Sequence, residues 1–341
     1  MGVSEANMRS GQAALRSRAT LVGLVVGVPL SLVFLWLALR NANLDRVWGE
    51  LSAADPELVA LAVAANGLVY FWQAARWRRI ARAPGVSTAR FVEMIVSGVA
   101  VNNVLPGRIG DVLRVRWLQL SARIKGGTAL STVFVDRAFD VFALVVFIAI
   151  SLPFVASAEW LLRIAIGGAA LLVALVLILV AARVYTRTRA RDRRSRGFLR
   201  RVARDTLEGL ADPLGRRRSV TLAGLSLAAW AMWAIAAWLV ARSVGIELAP
   251  IEALFLAGVI NLGLAIPSSP GFIGTYQWLG VSALALLDVD TDQALAFAIL
   301  MHAVWYVPTL LVGGALLARR GIRSMRGASV RSVELGKPSD A

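Results

Sequence analysis

The chain has 341 residues, of which 58% are hydrophobic, and a formal net charge of +16. This apolar share exceeds the roughly 45–50% of soluble domains, and the mean hydropathy is +0.68, so the composition predicts a membrane protein. The absence of cysteine excludes disulfides, thiolate catalysis and cysteine metal sites. Because the basic residues flank apolar runs, we interpret the charge as contact with an anionic membrane surface rather than with nucleic acid.

Six apolar runs are clearly long enough to cross a bilayer core, which takes about 20 residues. The first run follows a basic segment but has no small-residue cleavage pattern, so we predict a first helix rather than a removed signal peptide. Short basic loops such as 76–90 mark the cytoplasmic side. They predict cytoplasmic N- and C-termini in the inner membrane of a bacterium. The six runs are Thr20–Leu39, Leu58–Trp77, Thr128–Phe154, Trp160–Val184, Val220–Val240 and Ala294–Ala318.

Two further segments do not fit a simple crossing. The segment 91–121 has basic residues on both sides, Arg90 before it and Arg123 after it, so both of its ends are predicted to be cytoplasmic. The segment 251–288 has acidic residues on both sides, so both of its ends are predicted to be outside. The sequence therefore predicts an all-α polytopic membrane protein with six full spans plus two opposed re-entrant helical hairpins.

The two hairpins contain a repeated break. The pentapeptides PGRIG, at 106–110, and PGFIG, at 270–274, agree in four of five positions and lie 164 residues apart. The flanking runs align at the same offset and each half crosses the membrane an odd number of times, which predicts an inverted repeat. The alternative is a chance match, since Pro-Gly breaks are common in membrane proteins. The predicted parts are a cytoplasmic segment 1–19, a first repeat 20–154, a second repeat 155–318 with a basic cytoplasmic loop at 185–219, and a cytoplasmic tail 319–341.

The breaks predict a site for an anion. Proline suits the first turn of a helix, so Pro106 and Pro270 are predicted to begin new half-helices. A helix N-terminus carries free N–H donors and a partial positive charge, and Arg108 adds a guanidinium that matches phosphate. The alternative is that Arg108 and its basic neighbours lie at the surface among lipid headgroups. The residues predicted to permit the breaks are Pro106, Gly107, Gly110, Pro267, Pro270, Gly271 and Gly274.

The next charged cluster lies inside a predicted span. Asp136 and Asp140 are four residues apart, on one helix face, and Asp140 is roughly 18 Å along the helix at 1.5 Å per residue. A charge at that depth is costly and needs a partner. Arg137 can pair with Asp140, and Arg108 or Arg114 with Asp136, either as a structural network or as a headgroup site. The residues predicted to bind substrate are Asn102, Asn103, Arg108, Asp111, Arg114, Asp136, Arg137, Asp140 and Gln277.

His302 is the only histidine, and we interpret it either as a hydrogen-bonded packing residue or as a proton relay. No Walker loop, HExxH or G-x-S-x-G motif occurs, and no nucleophile–base pair stands out. We therefore predict no catalytic residue, no metal and no cofactor.

Three motifs in chain order resemble those of the lysylphosphatidylglycerol synthase transmembrane region, a flippase-like family. They are NNVLPGRIGDVLR, DRAFD and IPSSPGFIG, and the resemblance covers about residues 15–320. It implies a flippase-like fold that binds or moves an anionic or aminoacylated phospholipid. The chain has Asp111, Asp136 and Gln277 where that family usually has glutamate. The two aspartates keep the charge on a shorter side chain, whereas Gln277 removes it. About 20 residues follow the last predicted helix, so we do not expect lysyl transfer.

The predicted function is an integral membrane protein that binds or translocates a phospholipid or modified lipid across the inner membrane. The alternatives are a secondary transporter of a small polar solute and an accessory subunit of a lipid- or glycolipid-modifying enzyme. The predicted partners are phospholipid and the membrane, with a homo-oligomer and a separate lipid-modifying enzyme as further partners to test. No nucleic acid partner is expected.

Overall fold

The computed structural model describes residues 27–106, 108–155 and 216–335. Most of the predicted basic loop, the predicted span Trp160–Val184, the N-terminal segment and Gly107 lie outside these ranges. The described residues form helices joined by short connections, which confirms the predicted all-α class. The helices are α1 Gly27–Leu39, α2 Leu44–Ala53, α3 Pro56–Ala81, α4 Thr88–Val104, α5 Ile109–Ala122, α6 Gly126–Ser151, α7 Arg216–Ser243, α8 Pro250–Gly263, α9 Thr275–Leu284 and α10 Thr291–Leu335.

Several of these helices can cross a membrane. Among the described residues, α3, most of α7 and the stretch Thr291–Arg320 of α10 are long and apolar enough, and α1 and α2 meet the same test together despite an 85° bend. Helix α6 also has a spanning length of 26 residues, but it contains three charged residues. The prediction of a multi-pass membrane protein is confirmed, whereas the number of six crossings stays a prediction. Helix α10 continues through most of the predicted tail.

Local sequence determines where the helices begin. Asp55 caps α3, because its carboxylate accepts from the Glu57 N–H at 2.8 Å and Pro56 occupies the first turn. The prediction that Pro106 and Pro270 begin the half-helices is wrong, since α5 begins at Ile109 and α9 at Thr275. Pro270 begins only a three-residue 3-10 helix, Pro270–Phe272. The preceding residues, Arg108 with φ 54° and Gly274 with φ 85°, have left-handed or positive-φ backbone that a right-handed helix cannot include.

Helices of each half of the chain pack against helices of the other half in matching pairs. Helix α3 packs along α7, α4 packs on α10, and α8 packs on α6. Glycines allow the last two contacts to be close. A Cβ on Gly313 of α10 would lie 2.5 Å from the Cβ of Ala100 in α4, and a Cβ on Gly258 of α8 would lie 2.3 Å from a side-chain carbon of Ile148 in α6. The helix that precedes each break is therefore held by the long helix that ends the other half.

The backbone groups that each break exposes are satisfied inside the protein. At the first break, Asn102 Oδ1 accepts from the Gly110 N–H at 2.7 Å. At the second break, Ser31 Oγ of α1 accepts from the Ser269 N–H at 2.7 Å. The two breaks also meet, because a Cβ on Gly271 would lie 3.3 Å from the carbonyl oxygen of Asn103. Lipid could not satisfy these groups, so the breaks persist only because protein surrounds them.

The contact between α4 and α5 predicts a large effect of one methyl group. In Gly110→Ala the new Cβ would lie 1.8 Å from the Gly98 carbonyl oxygen, so the two helices must separate. Overpacking of this kind costs about 1–3 kcal/mol, and we expect a lower thermal unfolding midpoint in detergent, measured by scanning fluorimetry. The control is Gly224→Ala in α7, where a Cβ meets nothing within 4 Å and alanine favours the helix. Equal midpoints for the two variants would contradict the close crossing.

Candidate functional site

The most deeply buried cation of the described structure is Arg76 of α3, whose side chain has 0% exposure. Its three nitrogens each donate one hydrogen bond: Nε to Asp136 Oδ1 at 2.9 Å, Nη2 to Asp140 Oδ1 at 2.8 Å, and Nη1 to Ser226 Oγ at 2.7 Å. The two carboxylates converge on one arginine because they lie four residues apart on α6. The assignment of Arg76 to a basic loop is wrong, since α3 continues to Ala81.

Arg76 belongs to a closed ring of six side chains in which cations and anions alternate. Arg114 Nη2 lies 3.4 Å from Asp136 Oδ2, and Arg114 Nη1 lies 3.4 Å from Asp111 Oδ1. Arg137 closes the ring, since its nitrogens lie 3.6 Å from Asp111 and 3.2 Å from Asp140. Each carboxylate therefore bridges two arginines. We call this the charge ring, and its members in order are Arg76, Asp136, Arg114, Asp111, Arg137 and Asp140.

Neighbouring aromatic side chains support the charge ring. The Arg114 guanidinium lies over the Trp77 ring at 4.5 Å, and Trp230 Nε1 of α7 donates to Asp140 Oδ1 at 3.0 Å. Gly98 makes room for the Arg114 side chain, since a Cβ there would lie 2.7 Å from the Arg114 Cγ. With three arginines and three aspartates the ring is formally neutral, which is the condition for burying charges away from water.

One edge of the charge ring is open. Arg114 and Asp136 have side-chain exposures of 1% and 2%, whereas Asp111 has 24% and Arg137 has 44%. Beside this open edge lies Arg108, which is exposed. Its carbonyl oxygen accepts from the Asp111 N–H at 3.1 Å, whereas its guanidinium forms no hydrogen bond or ion pair with the described residues. The sequence left open whether Arg108 or Arg114 meets Asp136, and the structure places Arg114 there.

Three other residues that we predicted to bind substrate are occupied by contacts within the protein. Asn102 holds the Gly110 N–H, as described above. Asn103 Nδ2 donates to Thr309 Oγ1 of α10 at 3.3 Å. Gln277 Oε1 accepts from the Gly274 N–H at 2.7 Å. These three side chains stabilise the breaks, and their role in substrate binding stays a prediction.

His302 connects the second break to α10. Since Gln277 Oε1 is an acceptor, its Nε2 donates to His302 Nδ1 at 2.9 Å. His302 Nε2 then carries the proton and donates to the Gly271 carbonyl oxygen at 2.9 Å. The imidazole also stacks on Tyr276, with ring centroids 4.7 Å apart. Both ring nitrogens of His302 have hydrogen-bond partners when the imidazole is neutral. A second proton on Nδ1 would face the N–H donor of the Gln277 amide. This arrangement favours the interpretation of His302 as a packing residue over that of a proton relay.

The carboxylates of the charge ring do not form a metal site. Each is held by two arginines, and among the residues that the structure describes no group of three histidine, aspartate or glutamate side chains could hold a metal ion. The open edge instead presents a carboxylate and guanidinium groups side by side. That arrangement can bind a ligand that carries a phosphate together with a hydrogen-bond donor.

The charge ring predicts that Arg76 is essential for folding. Arg76→Gln leaves two aspartates buried without their main partner, and we expect a loss of stability of roughly 3–5 kcal/mol. Thermal unfolding in detergent, together with the monodisperse fraction in size-exclusion chromatography, measures this loss. The matched control is Arg46→Gln, because the Arg46 side chain is 75% exposed and lies 4.0 Å from Asp292, a pair worth about 0–1 kcal/mol. Equal stability of the two variants would show that the ring is not required.

Comparison with known proteins agrees with the resemblance that the motifs NNVLPGRIGDVLR, DRAFD and IPSSPGFIG indicate. The family model described as the lysylphosphatidylglycerol synthase TM region matches residues 21–313. A UPF0104 membrane protein of Methanocaldococcus jannaschii is 23% identical over 63% of this chain and 92% of that protein. The glycosyltransferase AglD of Haloferax volcanii is 27% identical over 64% of this chain, but the match spans only 41% of that longer protein. The chain belongs to the family of the lysylphosphatidylglycerol synthase transmembrane region.

Proposed function

We propose that this protein binds a phospholipid or modified lipid by its headgroup at the open edge of the charge ring and moves it across the membrane. The observation that carries the proposal is a neutral ring of charges, inside a multi-pass membrane protein, with one edge exposed beside a helix break. A purely structural network would gain nothing from the exposed edge, where Arg137 is 44% exposed.

The chemistry of the open edge favours a phosphate-containing headgroup. Arg137 is held in place by two carboxylates, so its guanidinium is preorganised to bind phosphate. Arg108 has a left-handed backbone with φ 54°, which costs roughly 1–2 kcal/mol for a residue with a Cβ and is typical of ligand sites. Asp111 supplies an acceptor for an ammonium or hydroxyl group. We therefore propose an anionic or aminoacylated phospholipid as the substrate class.

The helix packing supports two opposed hairpins related by an inverted repeat. A shift of 164 residues places α3 on α7, α4 on α8, α5 on α9 and α6 on the first part of α10. The reciprocal contacts of α4 with α10 and of α8 with α6 are those that a two-fold relation between the halves requires. Broken helices that meet at such an interface are typical of transporters. We propose cytoplasmic termini in the inner membrane of a bacterium, on the charge pattern of the loops.

The relatives support a phospholipid as the substrate class. They also favour one alternative function. The family name refers to a synthase of lysylphosphatidylglycerol, an aminoacylated phospholipid. One relative is a glycosyltransferase of which this chain spans 41%. That match favours the alternative of an accessory membrane subunit for an enzyme that modifies a lipid or glycolipid.

The hairpin topology predicts that both ends of 91–121 lie on one side of the membrane. Because the chain has no cysteine, single cysteines can be placed at Gly85, Gly126 and Gly49, where a Cβ meets no atom closer than 3.6 Å. We expect an impermeant maleimide added to intact cells to label position 49 and to spare positions 85 and 126. Labelling of position 126 from outside would contradict the re-entrant hairpin, and with it the inverted repeat.

The lipid site predicts that Arg108 and Arg137 are needed for transport. We expect Arg108→Gln and Arg137→Gln each to slow translocation of a fluorescent phospholipid in proteoliposomes by about tenfold, since a hydrogen bond to a charged group is worth roughly 1.5–3 kcal/mol. The control is Arg116→Gln, because Arg116 is an exposed arginine of α5 whose guanidinium hydrogen-bonds only to Gln119 among the described residues. Rates are normalised to folded protein. Unchanged rates in both variants would exclude this site, and no translocation by the wild type would favour the accessory-subunit alternative.

A further inference from the structure

Helix α2 turns away from the membrane-spanning direction. The axes of α1 and α2 form an angle of 85°, so a span that includes α1 leaves α2 close to the membrane plane. The Asn43 side chain caps α2, while the Asn43 backbone N–H donates to Asp292 Oδ1 at 2.7 Å. Val47 packs in a buried cluster with Leu295 and Ala296 of α10. The orientation of α2 is therefore fixed by the first turns of α10.

The apolar residues of α2 form one stripe that is only half covered by protein. Leu44, Val47, Trp48 and Leu51 follow the spacing of one helix face, and charged and small residues occupy the opposite face. Val47 is buried, but Leu44 is 61% exposed and Trp48 is 71% exposed. Burying these two side chains against an apolar phase would be favourable.

Helix α1, which precedes α2 in the chain, also has an exposed apolar face. On α1 the large side chains Leu32, Val33 and Trp36 are exposed, as expected for a span that contacts lipid tails. The Arg40 guanidinium lies over the Trp36 ring at 5.5 Å, at the end of the helix. Tryptophan and arginine at the end of a span mark the level of the headgroups. Trp48 lies in the next helix, eight residues after Arg40.

We propose that α2 lies in the membrane interface, with Leu44 and Trp48 inserted at the boundary between lipid headgroups and acyl chains. The partner of this surface is the bilayer itself. Helix α2 has ten residues and reaches only about 15 Å at 1.5 Å per residue, so it cannot complete a span. Its charged residues Asp45, Arg46 and Glu50 would face water, as in other interfacial amphipathic helices.

Single-cysteine spin labelling tests this proposal in vesicles of phosphatidylethanolamine and phosphatidylglycerol. Nitroxides are placed by Trp48→Cys in the proposed inserted face, by Gly49→Cys in the proposed aqueous face, and by Leu32→Cys on α1 as a reference for deep lipid. The readout is the ratio of collision rates with oxygen, which concentrates in lipid, and with a water-soluble nickel chelate. We expect this ratio to rise several-fold from position 49 to position 48, and to remain lower at 48 than at 32.

Three outcomes would overturn the proposal. Equal, water-like ratios at positions 48 and 49 would place α2 outside the membrane. A ratio at 48 as high as that at 32 would make α2 the second part of a broken span. Low collision rates with both reagents at 48 would show that protein, such as a second copy of this chain, covers the stripe. The substitutions are at exposed positions, so unchanged unfolding midpoints are the check that each variant is folded.

Discussion

The structure depends on the alternation of opposite charges around one closed ring. An isolated charge near the middle of a bilayer costs about 2.5–3.5 kcal/mol even on the scale with the smallest penalties. The four buried members of the ring, Arg76, Arg114, Asp136 and Asp140, therefore need partners of opposite charge. In the ring each arginine lies between two carboxylates. Because its members come from α3, α5 and α6, and α7 contributes hydrogen bonds, the ring closes only when α5 has packed on α6. Packing of α5 and neutralisation of the charges therefore occur together.

In the second half of the chain, α9 packs on α10 by different chemistry. The contact between α9 and α10 is a neutral network in which Gln277 and His302 join the turn glycines Gly271 and Gly274. A shift of 164 residues from the charge ring leads only to uncharged side chains. They are Val240, Thr275, Trp278, Leu300, Met301 and Val304. The positions that this offset relates to the charge ring are thus all uncharged in the second half of the chain, which is consistent with a single proposed headgroup site beside the first break.

Sequence patterns predicted the parts of this arrangement that are local in the chain. The spacing of Asp136 and Asp140 predicted one buried charged face, and the pentapeptide repeat predicted the positions of both breaks. Arg76 was missed because arginines at the end of a span usually lie in a loop, and only the helix boundary at Ala81 shows that it lies inside α3. A partner sixty residues away along the chain leaves no periodic signal. Helix α5 begins at Ile109 and not at Pro106 because Arg108 has a left-handed backbone conformation. Arginine has no preference for that conformation, so the sequence did not indicate it.

A high-resolution structure of the protein in nanodiscs that contain native lipids would show whether a headgroup occupies the open edge of the charge ring. We predict density for a lipid headgroup there, with its phosphate within hydrogen-bonding distance of the Arg137 and Arg108 guanidinium groups. We also predict an unchanged buried edge, in which Arg76 still contacts both carboxylates of α6. Ordered lipids confined to the outer apolar surface, with the open edge contacting only water or protein, would rule out the proposed headgroup site.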